Sequence, residues 1–390
     1  MPAAQSTVSP RLPLPGADAL AASQALRARI ACEIDAAGGW ISFARYMDLA
    51  LYAPGLGYYT AGAAKLGECG DFATAPEISP LFARAVARQL AQLVASGAEE
   101  ILELGAGSGR LAAGALLEME RGGRLPQRYR ILEVSPELRE RQRALLASHA
   151  PRLLERVSWV DVLPRRIHGV VLANEVLDAL PVHVVAWREQ DILERGVALE
   201  SGAFVWRERP ADAQLLRAAQ AIEVAPPYVS EIGLHARALV ATLAQRLERG
   251  VLLFIDYGFG RAEYYHPQRN TGTLMCHYRH RVHDDPFALP GLQDITAHLD
   301  FTAVAKAAQQ EGLALLGYTT QAQFLLNCGL IDLLRETPAE DAARYLPQAA
   351  AVQKLVSPAE MGELFKAIAL GRGVEPPLLG FARGDQSRLL

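Results

Sequence analysis

Apolar positions along the chain gather into short continuous runs separated by helical patterns. Ile101-Leu102-Glu103-Leu104, Tyr129-Arg130-Ile131-Leu132, Val157-Ser158-Trp159-Val160, Gly169-Val170-Val171-Leu172-Ala173 and the run 251–258 read as five parallel strands. The fourth is apolar throughout, as a strand covered on both faces must be. Helices are expected near 81–94, near 111–119, after the cap Ser135 and near 232–248. A helix near 302–310 and closing strands near 313–318 and 365–370 complete the pattern. Strand and helix alternate, which predicts an α/β chain built on a mostly parallel sheet.

Two regions break the alternation. His183-Val184-Val185-Ala186-Trp187 and the run ending Ala203-Phe204-Val205-Trp206 alternate like exposed antiparallel strands, so 182–231 reads as a β-rich insertion with a helical, Pro-rich return. The segment 271–300 is dense in polar and aromatic groups and reads as a long structured loop over a ligand site. The division expected is a mobile Pro- and Ala-rich tail at 1–20 and an N-terminal helical extension at 21–98. A ligand-binding core at 99–181, the insertion at 182–231 and the second half of the core at 232–390 follow. In the extension, the aromatic, glycine-rich Tyr52 to Tyr59 is either a lid or a packed surface loop.

The chemistry concentrates after the first strand, where Gly105-Ala106-Gly107-Ser108-Gly109 opens a helix. Such a turn brings a ligand against the main chain and presents helix N–H groups to it. The spacing is G-x-G-x-G, with Arg110 where the third glycine of a dinucleotide fingerprint would stand, which counts against an NAD-dependent dehydrogenase. Glu103 suits a ligand with an ammonium group, such as S-adenosylmethionine (SAM). Glu133 ends the second strand about 20 residues beyond the loop, where a ribose-binding acid is expected. Asp161, ending the third strand, is the candidate for an adenine amino group. Asn174, Glu175 and Asp178 lie just past the fourth strand, at the carboxyl end of the sheet where open α/β folds bind ligands, and the two acids are the best catalytic candidates. Asp71, Thr74 and Glu77, with Pro76 between them, either cap turns or line the cofactor pocket opposite the glycine loop.

Bulk properties narrow the classes. The 390 residues are 51% hydrophobic with a net charge of −4, which gives no electrostatic reason to expect nucleic acid. Four cysteines lie far apart without a CxxC, favouring a reducing compartment. No apolar stretch reaches the ~18 residues of a membrane span, and the N-terminus lacks a signal-peptide core. The cytoplasm is the expected compartment, with an organelle peptide poorly supported. His283, His298 and Asp300 match no metal-ligand spacing, so no metal is expected.

GYYT at 57–60, GDFATAPEIS at 70–79, ELGAGSGRLA at 103–112, ANEVLDALPV at 173–182, FIDYG at 254–258, YRHRVHDDP at 278–286 and QDITAHLDF at 293–301 together resemble the MidA-like family of SAM-dependent methyltransferases. That family includes the mitochondrial arginine methyltransferase that assists complex I assembly. The resemblance implies a class I, Rossmann-like, seven-stranded sheet, SAM as methyl donor, and a protein substrate such as a respiratory-complex subunit. An arginine acceptor requires carboxylates for its planar, permanently charged group, which Glu175 and Asp178 would supply with Glu77 in support. Tyr278, Arg279, His280, Asp294 and His298 are the candidates for substrate recognition in the 271–300 loop. A small-molecule acceptor, or a SAM-binding assembly factor, is the alternative.

Overall fold

The computed structural model describes residues 12–61 and 74–390. Seven strands form the central sheet: β1 (Glu100–Leu104), β2 (Arg128–Leu132), β3 (Val157–Val160), β4 (Ile167–Asn174), β5 (Leu247–Phe259), β6 (Ala314–Thr320) and β7 (Phe365–Arg372). Their order is β6-β7-β5-β4-β1-β2-β3, and a two-residue strand, Leu299–Asp300, runs parallel beside the end of β5. β1 to β5 are mutually parallel, whereas β7 is antiparallel to both of its neighbours. The strand order reverses between β1 and β4, which opens a crevice at their carboxyl ends.

The uninterrupted apolar runs reflect two cores rather than one. Ile101, Val170, Leu172, Val251 and Leu253 pack with helices Pro80–Ala95 and Arg110–Arg121 on one face. Leu102, Leu104, Val171, Ala173, Leu252 and Phe254 pack with helices Leu234–Arg246 and Phe301–Gln310 on the other. Successive side chains point to opposite faces, so a strand with helices on both sides must be apolar at every position.

Elsewhere the structure corrects the sequence expectations. A helix, Ala17–Ala36, starts inside the stretch expected to be a tail. The insertion is a five-stranded antiparallel sheet that includes Ile41–Ser42 from the N-terminal extension and, after the expected helical return at Ala213–Gln220, a further strand, Tyr228–Ile232. The 271–300 segment is not one loop: Met275–Tyr278, Arg281–His283 and Asp294–Thr296 form a small antiparallel sheet. One core joins these pieces, drawing Leu26, Phe43 and Tyr46 together with Val184, Val197 and Phe204 and with Cys276 and Ile295. Extension, insertion and small sheet therefore bury their apolar faces against one another. Helices Gln321–Asn327, Leu330–Arg335 and Ala342–Val356 fill the connection between β6 and β7. Among the described residues no helix is long and apolar enough to cross a membrane.

Candidate active site

The crevice beside β1 is a cavity of about 280 Å³. Gly105 and Gly107 line it, with φ of 59° and 54°. Together with Gly109 at 88° they carry the chain through the left-handed region, which a Cβ resists. Gly109 does not line the cavity; a Cβ on it would stand 3.2 Å from Gln142 Cα, so its role is close packing against helix Pro136–His149. Gln142 is fully buried and was not foreseen. Its Nε2 donates to Gly107 O at 2.9 Å and to Glu133 Oε2 at 3.0 Å, and its Oε1 accepts from Trp159 Nε1 at 2.8 Å. One side chain thus ties the glycine loop, the end of β2 and β3 together. Nothing in a charged helical segment singles it out.

Glu103 and Glu133 both line the cavity and are both buried. Glu103 accepts from Tyr129 Oη at 2.7 Å, and burial pushes its carboxyl up to about 7. The Ser135 amide donates to Glu133 Oε1 at 3.0 Å, and burial raises this acid too. Thr74 and Asn174 complete the polar rim beside Pro76, and among the described residues Asn174 Oδ1 is buried and lacks a hydrogen-bond partner. Leu132, Val134 and Leu138 supply an apolar wall, and Tyr52 and Tyr59 close the remaining side.

Three candidates stand differently from expectation. Asp161 has a side chain 83% exposed, pairs with Arg139 Nη1 at 2.7 Å and does not line the cavity. Glu77 lines it but is committed to the glycine loop: Ser108 Oγ donates to one oxygen and Arg110 Nε pairs with the other at 2.8 Å. It clamps the loop. Asp71 lies outside the described residues.

A second cavity, of about 350 Å³, opens on the far side of Glu175. Glu175 lines both. Its φ is 53°, and its Oε1 accepts from Ala75 N at 3.1 Å and from Asn174 Nδ2 at 3.0 Å. Burial pushes its carboxyl up to about 8. Asp178 shares the second cavity, raised by burial to about 6, and among the described residues its Oδ1 is buried without a hydrogen-bond partner. Among the described residues no ion pair reaches Glu175 or Asp178. Beneath them lies Asp256, another residue sequence reasoning missed, whose Oδ2 accepts from the amides of Val176 at 3.2 Å, Leu177 at 2.9 Å and Asp178 at 3.4 Å. FIDYG marks it, but only as the end of a strand.

The small sheet faces the same cavity with Met275, His277, Asp294 and Thr296, and His298 follows. His298 stacks on Phe259 at 5.4 Å with an interplanar angle of 7°, and burial pushes it down to about 4, so it is neutral. Tyr278, Arg279 and His280 do not line the cavity. Side chains alternate along a strand, so Met275 and His277 face the cavity while Cys276 and Tyr278 enter the core. Arg279 and His280, with φ of 47° and 59°, are exposed in the hairpin turn, where Arg279 Nη1 donates to Leu14 O at 3.3 Å. The opposite walls, Tyr257, Lys354, Glu360 and Met361, were not foreseen.

The family described as "Putative S-adenosyl-L-methionine-dependent methyltransferase" matches residues 81–319, more than half of the chain. The chain belongs to this family. This methyltransferase is 32% identical over 373 residues to the protein arginine methyltransferase NDUFAF7, mitochondrial, of Mus musculus, covering 85% of this chain and 81% of that protein. The Homo sapiens protein of the same name is 31% identical over 378 residues, covering 85% and 80%. A solved structure from Burkholderia thailandensis, bound to S-adenosyl-homocysteine (SAH), is 53% identical, with a TM-score of 0.94 over 97% of this chain and 100% of that one. The cofactor is therefore SAM, on a class I methyltransferase fold. The methyltransferase's first cavity fits that molecule on its own terms. Among the described residues the Asn174 oxygen has no hydrogen-bond partner and Glu103 no cation, which suits an ammonium group; Glu133 suits a ribose diol, and the apolar wall suits an adenine ring.

Proposed function

We propose that this methyltransferase acts on the guanidinium of an arginine in a protein substrate, received in the second cavity. The observation that carries this is the convergence of Glu175, Asp178 and Asp294 on one cavity whose wall, at Glu175, is also the wall of the cofactor cavity. Carboxylates held away from water are costly to ionise, and a guanidinium offers the planar, permanently charged donor set that satisfies several at once. The names of the relatives at about 30% identity point the same way.

When bound, the cofactor supplies a methyl carbon on a positively charged sulfur, open to in-line displacement by an acceptor nitrogen. The chain's own residues do the positioning. Glu175 holds the guanidinium at the boundary of the two cavities, and Asp178 draws its charge away from the attacking nitrogen. The arriving cation favours the ionised forms of both acids, and Glu175 takes the proton that the alkylated nitrogen releases. Neutral His298 and the ring of Tyr257 pack about the acceptor without adding charge that would repel it.

The test is transfer of isotopic methyl from SAM into the proteins of a bacterial extract, with Gly107→Val alongside as the cofactor-dead control. Labelled protein bands that yield methylarginine on hydrolysis, absent from the control, are expected. Label confined to small molecules, or no label from a protein that binds SAH in calorimetry, would overturn the reading.

A further inference from the structure

The GYYT stretch enters neither the chemistry of the donor nor that of the acceptor, yet it lines the first cavity and bonds to a residue that lines the second. Tyr59 lines the cofactor cavity, with its ring stacked on Tyr52 at 5.5 Å and 22°. Its hydroxyl leaves that cavity and donates to Asp294 Oδ1 at 3.0 Å. Asp294 belongs to the other cavity, on the small sheet more than two hundred residues away. The loop that presents Tyr59 is held hard. Tyr58 N and Tyr59 N donate back to Ala50 O and Leu51 O, each at 2.9 Å, and Tyr52 Oη donates to Ala179 O at 3.0 Å. Gly57 is required here by close approach, since a Cβ would fall 2.5 Å from Ala53 N and 2.7 Å from the Leu51 carbonyl.

We propose that Tyr59 is a positioning residue for the acceptor, fixing the Asp294 carboxylate from the cofactor side so that acceptor binding is aligned with the seated cofactor. The inference rests on the reading of the second cavity as the acceptor site. Two features make the contact suited to this work. The phenol is buried among carboxylates and stays protonated, so it remains a donor at every physiological pH. And the ring and the hydroxyl serve different cavities, so the two contributions separate by mutation: phenylalanine keeps the stacked wall and deletes only the bond to Asp294.

Tyr59→Phe, Asp294→Asn and the double variant are compared with wild type in full-length protein. Three quantities are read: SAH affinity by calorimetry, and the maximal rate and half-saturating extract concentration for methyl transfer from labelled SAM into bacterial extract. Tyr59→Phe is expected to leave SAH affinity within about threefold and to raise the half-saturating concentration about tenfold, the scale of a lost hydrogen bond to a charged group. In the Asp294→Asn background the same change is expected to have little further effect, because the residue acts through that carboxylate. Half-saturation unchanged by Tyr59→Phe, an equal loss in SAH affinity, or full additivity in the double variant would overturn the proposal. Wild-type protein that transfers no methyl to protein would overturn the acceptor reading and this inference with it, and is distinguished from the other outcomes by needing no variant.

Discussion

A non-glycine residue at φ 53° is held against a local cost of about 1–3 kcal/mol, and Glu175 is such a residue at the one place where both cavities meet. Replacing it with Gln keeps the shape and the bond from Ala75 but removes the base. Methyl transfer should fall at least about a hundredfold while SAH affinity changes little, and loss of SAH binding would make the residue a cofactor ligand instead. The wild-type pH dependence follows from the same carboxyl. Raised to about 8 by burial, it is protonated below that pH, so kcat/KM should climb with pH and level off above about 8. Glu103 gives a second titration in binding rather than rate. A cofactor ammonium prefers the ionised acid, so SAM affinity should weaken as pH falls through about 7, and Glu103→Gln should flatten that dependence in calorimetry. Glu103 and Glu133 were legible because their spacing from the glycine loop is a property of the chain. Glu77 and Asp161 are not, because which arginine claims a carboxylate is decided by neighbours distant in sequence, here Arg110 and Arg139.

The turn after β4 is a small element that leans on one buried carboxylate for several of its amides. Asp256 takes three of its amides on one oxygen and the Tyr257 amide on the other, the last at 2.9 Å. Asp256→Ala would strand these buried N–H groups at about 1–3 kcal/mol each before relaxation, so a loss of several kcal/mol in urea unfolding is expected, with Glu175 displaced and transfer lost. Asp256→Asn keeps an acceptor for the turn and should retain most of the stability. At this scale the strands of the sheet were legible because burial on both faces writes itself as a continuous apolar run, as in Val170-Val171-Leu172. The helices between β6 and β7 left no comparable mark: Ala342–Val356 buries only Val352 and Leu355 and carries Pro347 inside it. The small sheet reads as a loop from sequence because its strands are three to four residues of mixed polarity, too short for alternation to show. That failure put Tyr278 on the wrong face and hid His277.

Across the whole molecule the buried acids oppose one another and the fold, with a sign that differs from that of a protein whose carboxylates are salt-bridged. Glu103 at about 7 and Glu175 at about 8 bind protons more tightly folded than unfolded. Between the unfolded value near 4.5 and those folded values the native state carries more protons, so stability falls as pH rises through that window and is flat above it. His298, held down at about 4, works in reverse: the unfolded imidazole binds the extra proton, and stability rises between about 4 and its ordinary 6.5. Two acids outweigh one imidazole between about 4.5 and 6.5 and nothing offsets them above it, so these groups lower the Tm of the cofactor-free protein as pH rises from about 4.5 to about 8. Glu175→Gln should remove a good part of that loss, since the amide has no proton to surrender. SAM brings a sulfonium and an ammonium to the buried acids, whereas SAH brings only the ammonium. The Tm rise given by SAM should therefore exceed that given by SAH by a margin that widens from pH 6.5 to 8. Equal shifts across that range in differential scanning fluorimetry would mean that the buried carboxylates do not feel the charge on sulfur, and that the affinity for the donor comes from the parts it shares with SAH.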